Sequence, residues 1–365
     1  MIEFIPLKYY YDIFTYTCLV IVLITFLHSF ILDMHATKNI AYIKTIGLII
    51  LVLIVLYIGL RPVSGRYFTD MRTYARHFNH YKNGGIILID KDIFFHLFMK
   101  TCASFMSVNN FFLVCATLYI YPMYKVSKAF FKEFWFYCFL MFIVSFSFWA
   151  YGVNGVRNGI ATSFFLWGIS YQNNKIKMIS LFVLAVLFHK SMLLVILAYS
   201  ATVIYNNPKT FLSFWLAAIP LSIALGGVWI SLFTSLGFAD DRLSGYLSGE
   251  SAGGAGFRYD FLFYSAFPVF AGWYFIFKRK FDDKVYKQLF NIYLITNGFW
   301  ILVIRANFSN RFAYLSWFMM AIVIIYPLLK QNFFKRQHIM LGYIYLAYFA
   351  FTYLMYLIYY ADDRV

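Results

Sequence analysis

Ile43-Lys44-Thr45-Ile46-Gly47-Leu48-Ile49-Ile50-Leu51-Val52-Leu53-Ile54-Val55-Leu56-Tyr57-Ile58-Gly59-Leu60 is an almost unbroken apolar run, and it ends abruptly at Arg61-Pro62-Val63-Ser64-Gly65-Arg66. From Arg61 to Arg76 the chain holds four arginines and an aspartate, Asp70, within 16 residues. A run of this length suits the roughly 30 Å hydrocarbon core of a bilayer, which takes about 20 apolar residues to cross as a helix. Charge so dense at the mouth of a hydrophobic segment is expensive near lipid and calls for a functional reason.

Runs of the same kind recur along the chain, at 10–32, 43–60, 109–127, 134–151, 155–172, 211–235, 259–279, 286–304, 311–329 and 338–360. With 62% hydrophobic, 23% aromatic and only 13% charged residues, against about 25% charged in soluble proteins, the chain reads as an all-α polytopic membrane protein. About ten full spans are expected, in a single transmembrane domain over 1–365. Lys8 precedes an apolar run long enough to span, without a small-residue cleavage site, so the first span is expected to be retained. Cys18, Cys102, Cys115 and Cys138 lie in apolar surroundings without metal-ligand spacing and read as packing residues. The formal charge of +16 does not point to nucleic acid, because the basic residues are dispersed between spans instead of gathered in a stripe.

Three segments depart from the simple span pattern. Residues 70–82 predict an amphipathic helix capped by Thr69 and stopped by Asn83-Gly84-Gly85, with Asp70, Tyr74, His77 and Tyr81 on one face and Met71, Ala75 and Phe78 on another. Residues 91–107 predict a second one, interfacial or re-entrant, with Asp92, His96, Lys100, Ala103 and Ser107 opposite a phenylalanine-rich face. The segment 177–204, interrupted by His189-Lys190-Ser191, is either one tilted helix or a hairpin of two short helices.

Sidedness favours the hairpin. Loops 125–133, 173–177, 278–288 and 330–338 are lysine-rich and are assigned to the cytoplasm. The consistent path then puts loops 61–91 and 236–258, Arg157, His189 and Arg311 on the outer side. Along that path 14 of the 19 lysines are inside, but of the 12 arginines only Arg279 and Arg336 are. Topology accounts for lysine inside; it does not account for arginine outside. Arginine offers a planar fork that grips phosphate bidentately, so an arginine-rich outer face suggests an anionic, lipid-linked ligand.

Gly59-Leu60-Arg61 followed by Gly65, Asp70, Tyr74 and Phe78, then Arg157-Asn158-Gly159-Ile160-Ala161, Phe188-His189-Lys190-Ser191 and Asn310-Arg311-Phe312-Ala313-Tyr314, resemble in order the motifs of EpsG-like and O-antigen polymerase (Wzy-type) membrane proteins. The resemblance implies a GT-C-like polytopic enzyme of the bacterial inner membrane with its active site facing the periplasm. Its substrate would be an undecaprenyl-pyrophosphate-linked oligosaccharide, taken from membrane lipid, with a flippase and a chain-length regulator as partners. No cofactor and no metal are expected. An O-antigen ligase, another lipid-linked glycosyltransferase and a flippase or transporter are the competing readings.

A glycosyl diphosphate brings its own leaving group, so transfer needs only stabilisation of developing diphosphate charge and a base for the acceptor hydroxyl. Arg61, Arg157 and Arg311 are the candidates for the diphosphate, Arg61 foremost; helix-end snorkelling is their ordinary alternative. His189 and Asp70 are alternative bases, Asp70 otherwise pairing with a nearby arginine. Tyr74, Asn158, Lys190, Asn310 and Tyr314 are candidate supporting contacts. Asp240 and Asp241 are candidate sugar acceptors in the Gly- and Ser-rich loop 236–258, which itself reads as a cover over the sugar site.

Overall fold

A computed structural model describes residues 4–89, 92–233, 256–306 and 309–360, and every regular element among them is helical. In chain order the helices are α1 (Tyr10–Ile31), α2 (Thr37–Gly59), α3 (Thr69–Lys82), α4 (Ile93–Ala103), α5 (Val108–Phe131), α6 (Trp135–Ile143), α7 (Phe146–Val153), α8 (Val156–Ile169), α9 (Lys175–Phe188), α10 (Met192–Ile204), α11 (Pro208–Phe233), α12 (Tyr259–Trp273), α13 (Lys284–Leu302), α14 (Asn310–Trp317), α15 (Met320–Lys330) and α16 (Gln337–Tyr360). The chain is a multi-pass membrane protein. Among the described residues six helical stretches are long and apolar enough to span, and a seventh is gained if the bent pair Val108–Ile143 and Phe146–Val153 counts as one.

Four of the ten expected spans do not meet that test on their own: 109–127 and 134–151 pass only together, as that bent pair, and 155–172 and 286–304 do not pass. Residues 155–172 yield α8, whose 14 residues reach about 21 Å at 1.5 Å per residue, short of the hydrocarbon thickness. Residues 286–304 yield α13, which has the length but carries Lys284, Lys287, Gln288, Asn291 and Asn297. Both helices are buried almost all round by other helices, so hydropathy alone does not govern their composition.

The chain divides into two compact units, residues 1–190 with 328–365, and residues 191–327. In the first, α1, α2, α5, α8, α9 and α16 pack as a bundle with two distinguishable ends. At one end Tyr57 donates to the Tyr10 carbonyl at 2.6 Å, and Tyr356 donates to Asp12 at 2.7 Å. At the other, His28 meets Asn39 at 3.0 Å, Asn39 donates to Tyr137 at 3.1 Å, and His338 pairs with Asp33 at 3.0 Å. Arg61 and Arg157 belong to the first end; Lys330, over the Phe131 ring at 5.8 Å, belongs to the second. Within this unit Arg61 and Arg157 thus stand at the opposite end from Lys330. All four cysteines are buried free thiols.

In the second unit α11 packs along α13 around a buried polar knot. Asn297 accepts from Trp215 at 2.7 Å and donates to Ser265 and Ser316 at 3.2 and 2.9 Å, while Trp317 donates to Ser265 at 2.8 Å. Each partner satisfies another in a buried setting, which makes the knot specific to one packing. The unit boundary falls at Lys190–Ser191, inside the expected break: α9 stops at Phe188 and α10 starts at Met192.

Helices α3 and α4 lie over the arginine end of the first unit; the apolar face of α3 is turned inward and Asp70 is exposed, but part of each helix's polar face is buried as well. Tyr74 and Tyr81 are buried together with Met71, Ala75 and Phe78, and Asp92 and His96 are buried together with Phe95 and Met99. Each inward polar group has a partner there, which removes the cost that would otherwise drive it to solvent. Thr69 is the first residue of α3 and makes no side-chain cap; Gly84, at φ +85°, ends the helix as expected.

Candidate functional site

Gly155 caps the N-terminus of α8, and Arg157 stands in the first turn. Gly159 is required one turn on, since a Cβ there would lie 3.0 Å from the Tyr151 carbonyl and 3.1 Å from the Tyr119 ring. A cation at a helix N-terminus adds charge to the positive end of the helix dipole, so Arg157 needs a counter-anion. Asp92 supplies it: Arg157 Nη1 donates to Asp92 Oδ2 at 2.8 Å. The guanidinium also lies 5.9 Å from the centres of the Tyr74 and Phe95 rings, and its side chain remains 30% exposed.

Asp92 itself is only 8% exposed and serves three neighbours. Oδ1 accepts the backbone N–H of Lys190 at 3.2 Å, and Oδ2 lies 3.7 Å from His189 Nδ1. At φ +49° it sits in the left-handed region and makes no side-chain cap to α4, whose N-cap it is. It thus forgoes a cap of about 1 kcal/mol, in favour of contacts with the start of α8 and the break after α9. The Phe188 ring, packed on Phe94, Phe95 and Phe98 at 5.4–6.2 Å, holds that break against α4.

Of the candidates, Tyr74, Arg157, His189 and the backbone of Lys190 come together around Asp92. Asn158 is buried in the next position of α8, without a side-chain hydrogen bond to its Oδ1 among the described residues. Asp70 is exposed in the first turn of α3, near enough for its charge to act on Arg157 and Tyr74. Asn310, Arg311 and Tyr314 are on α14 of the second unit; Tyr314 packs on Trp317 at 5.6 Å, and the Asn310 and Arg311 side chains lie outside the described residues, as do Asp240 and Asp241.

Arg61 departs from expectation. It is 1% exposed, wedged between the Phe68 and Phe112 rings at 5.6 and 5.4 Å. Its Nη1 donates to the Ile58 carbonyl and its Nη2 to the Val153 carbonyl, the latter at 3.1 Å. These carbonyls belong to the last turns of α2 and α7, so one guanidinium closes two helix C-termini. Two such termini present about half a negative charge each, which supplies a counter-charge without a carboxylate. Burial lowers the Arg61 pKa to about 10, still charged at neutrality.

Beneath the site His96 Nδ1 meets the Tyr81 hydroxyl at 2.9 Å, and its ring lies edge-on to His77 at 5.6 Å. Burial first, then the charges of Arg157 and His77, hold His96 down at about 4, with Asp92 opposing weakly; burial and the neighbouring Arg76, His80 and Arg157 lower His77 as well. A histidine kept neutral by the fold contributes stability that is complete above its unfolded value near 6.5 and is lost as pH falls toward 4. Amide hydrogen exchange across 69–103, corrected for intrinsic rates, is expected to quicken between pH 7 and pH 5, and His96→Gln to flatten most of that dependence.

Asp92 is the site residue that the sequence reading did not select. Its signal was an acidic side chain heading an amphipathic segment otherwise aimed at a membrane surface.

No curated protein and no solved structure matches the chain. The EpsG family does match, over residues 44–365, and this range takes in Arg61, the Asp92–Arg157–His189 cluster and the α14 motif. The chain belongs to the EpsG family.

Proposed function

We propose that this protein is a polysaccharide polymerase of the O-antigen type, working at the periplasmic face of the bacterial inner membrane. It moves a growing glycan from one undecaprenyl-pyrophosphate carrier onto the non-reducing-end sugar of another lipid-linked repeat unit. Membership of the EpsG family suggests a polysaccharide polymerase-type function. The observation that carries the finer reading is the pairing of a partly open arginine at a helix N-terminus with a histidine held at a helix break, both on one buried carboxylate. A ten-crossing, GT-C-like path belongs to the same proposal. It is supported by the near-complete burial of α8 and α13, which lets short or polar helices cross inside a bundle.

In the reaction the acceptor hydroxyl oxygen attacks the anomeric carbon. The bond from that carbon to the diphosphate oxygen breaks, and its electron pair leaves with undecaprenyl diphosphate. The hydroxyl proton passes to the imidazole of His189. Arg157 faces the charge that grows on the leaving diphosphate, where a fixed cation stabilises the transition state more than the ground state. A flippase would deliver the substrate and a chain-length regulator would set product size.

Deletion of the gene, followed by gel display of the surface glycan, tests the reading. The expected result is lipid core capped by a single repeat unit, with the ladder restored by the wild-type gene and not by His189→Ala. Loss of all capped core would indicate a ligase or flippase and overturn the proposal.

A further inference from the structure

One carboxylate oxygen, Asp92 Oδ2, faces both chemical groups of the site: it is bonded to Arg157 at 2.8 Å and stands 3.7 Å from His189 Nδ1, too far for a hydrogen bond. The other oxygen is anchored on the Lys190 N–H at 3.2 Å, in the residue that follows His189. The carboxylate is therefore shared: one oxygen makes the short, charge-assisted bond to the arginine, and the other stays tied to the histidine's own backbone segment if that bond is exchanged. Arg157 is 30% exposed whereas Asp92 is 8% exposed, so an incoming anion reaches the arginine and not the aspartate.

We propose that Asp92 is a positioning residue that the lipid diphosphate releases from Arg157 to His189, so that the base is completed only when the donor is bound. The inference rests on the polymerase reading above. The diphosphate brings two or more negative charges to a guanidinium fork already matched to phosphate geometry, and competes with a single carboxylate for it. Once released, Oδ2 has less than 1 Å to travel to reach bonding distance of Nδ1. It then accepts the Nδ1 proton, which leaves the other ring nitrogen unprotonated to take the acceptor hydroxyl's proton, and it stabilises the imidazolium formed as the sugar–diphosphate bond breaks. Without donor, Asp92 Oδ2 stays with Arg157, 3.7 Å from His189 Nδ1, and premature attack by water is disfavoured.

A carboxylate that merely staples α4 to α8 makes opposite predictions, so purified full-length protein can decide. Asp92→Asn keeps the acceptor for the Lys190 N–H and removes the anion that competes for Arg157. Binding of undecaprenyl diphosphate is expected to tighten roughly two- to fivefold, while turnover of lipid-linked repeat units falls about 10²–10⁴-fold. Weaker binding together with lost turnover would overturn the inference. If Asp92→Asn fails to fold, the wild-type protein answers by nitrogen and proton NMR of its histidines. Addition of undecaprenyl diphosphate should bring out a downfield Nδ1 proton for His189, and an unchanged spectrum of a saturated sample overturns the proposal. Failure of the polymerase reading itself looks different: Arg157→Ala would then bind undecaprenyl diphosphate as the wild type does.

Discussion

Replacing Arg157 by lysine is expected to abolish the glycan ladder while leaving the amount of protein in the membrane unchanged. Lysine keeps a positive charge within reach of Asp92, so the buried carboxylate at 8% exposure retains a partner and the cap over the site stays folded. What is lost is the planar fork. A guanidinium freed from Asp92 presents several donors, in fixed directions, to a phosphate; an ammonium is a single point charge on a flexible stem. Loss of one oriented donor to a developing oxyanion costs about 10²–10³ in rate. Over a polymer that needs many successive transfers, a deficit of that size leaves single repeat units on the gel. Full ladder length in Arg157→Lys at normal expression would refute bidentate recognition of the diphosphate and, with it, the reason for preferring arginine at this end of the bundle.

The sequence singled out two of the groups that meet around Asp92, but not how they are wired together. Arg157 and His189 were readable because a charge at a helix start and a polar triplet inside an apolar run are local anomalies. Asp92 was not, because its meaning comes from contacts 65 and 98 residues away, and by itself it looks like any acidic residue at the start of a surface helix. The burial of Tyr74, Tyr81 and His96 was hidden for the same reason. Tyr81 and His96 count as polar until each is known to have the other at 2.9 Å. The expected spans 155–172 and 286–304 became α8 and α13, which fail a hydropathy test because such a window reports whether a segment tolerates lipid, not whether lipid ever reaches it. The break at His189–Ser191 was legible, since three polar residues in the middle of an apolar run leave the chain few other places to stop a helix.

Arg61 separates a ligand from a brace, and the two assignments predict different failures. As a brace it ties the C-terminus of α2, through the Ile58 carbonyl, to the C-terminus of α7, through Val153 three residues before α8 begins. Arg61→Met fills much of the same space between Phe68 and Phe112 but donates no hydrogen bond. It leaves two buried carbonyls without that partner, at a cost of about 1–3 kcal/mol each when unsatisfied. The dipoles of both helices also lose their shared counter-charge. The expected outcome is a drop of about 5–10 °C in the melting temperature of the purified protein, with fewer molecules in the membrane. Activity falls in proportion to the folded fraction plus whatever the displaced α7–α8 turn takes from Arg157. The molecules that remain folded should bind undecaprenyl diphosphate nearly as tightly as the wild type, because the guanidinium at 1% exposure never met it. Arg61→Lys should behave like the methionine variant and not like a conservative change, since one ammonium on a flexible stem does not span carbonyls on two helices. An Arg61→Met protein with unaltered melting temperature and no diphosphate binding would reverse the assignment, and would require the Phe68–Phe112 wedge to open so that Arg61 reaches the lipid carrier beside Arg157.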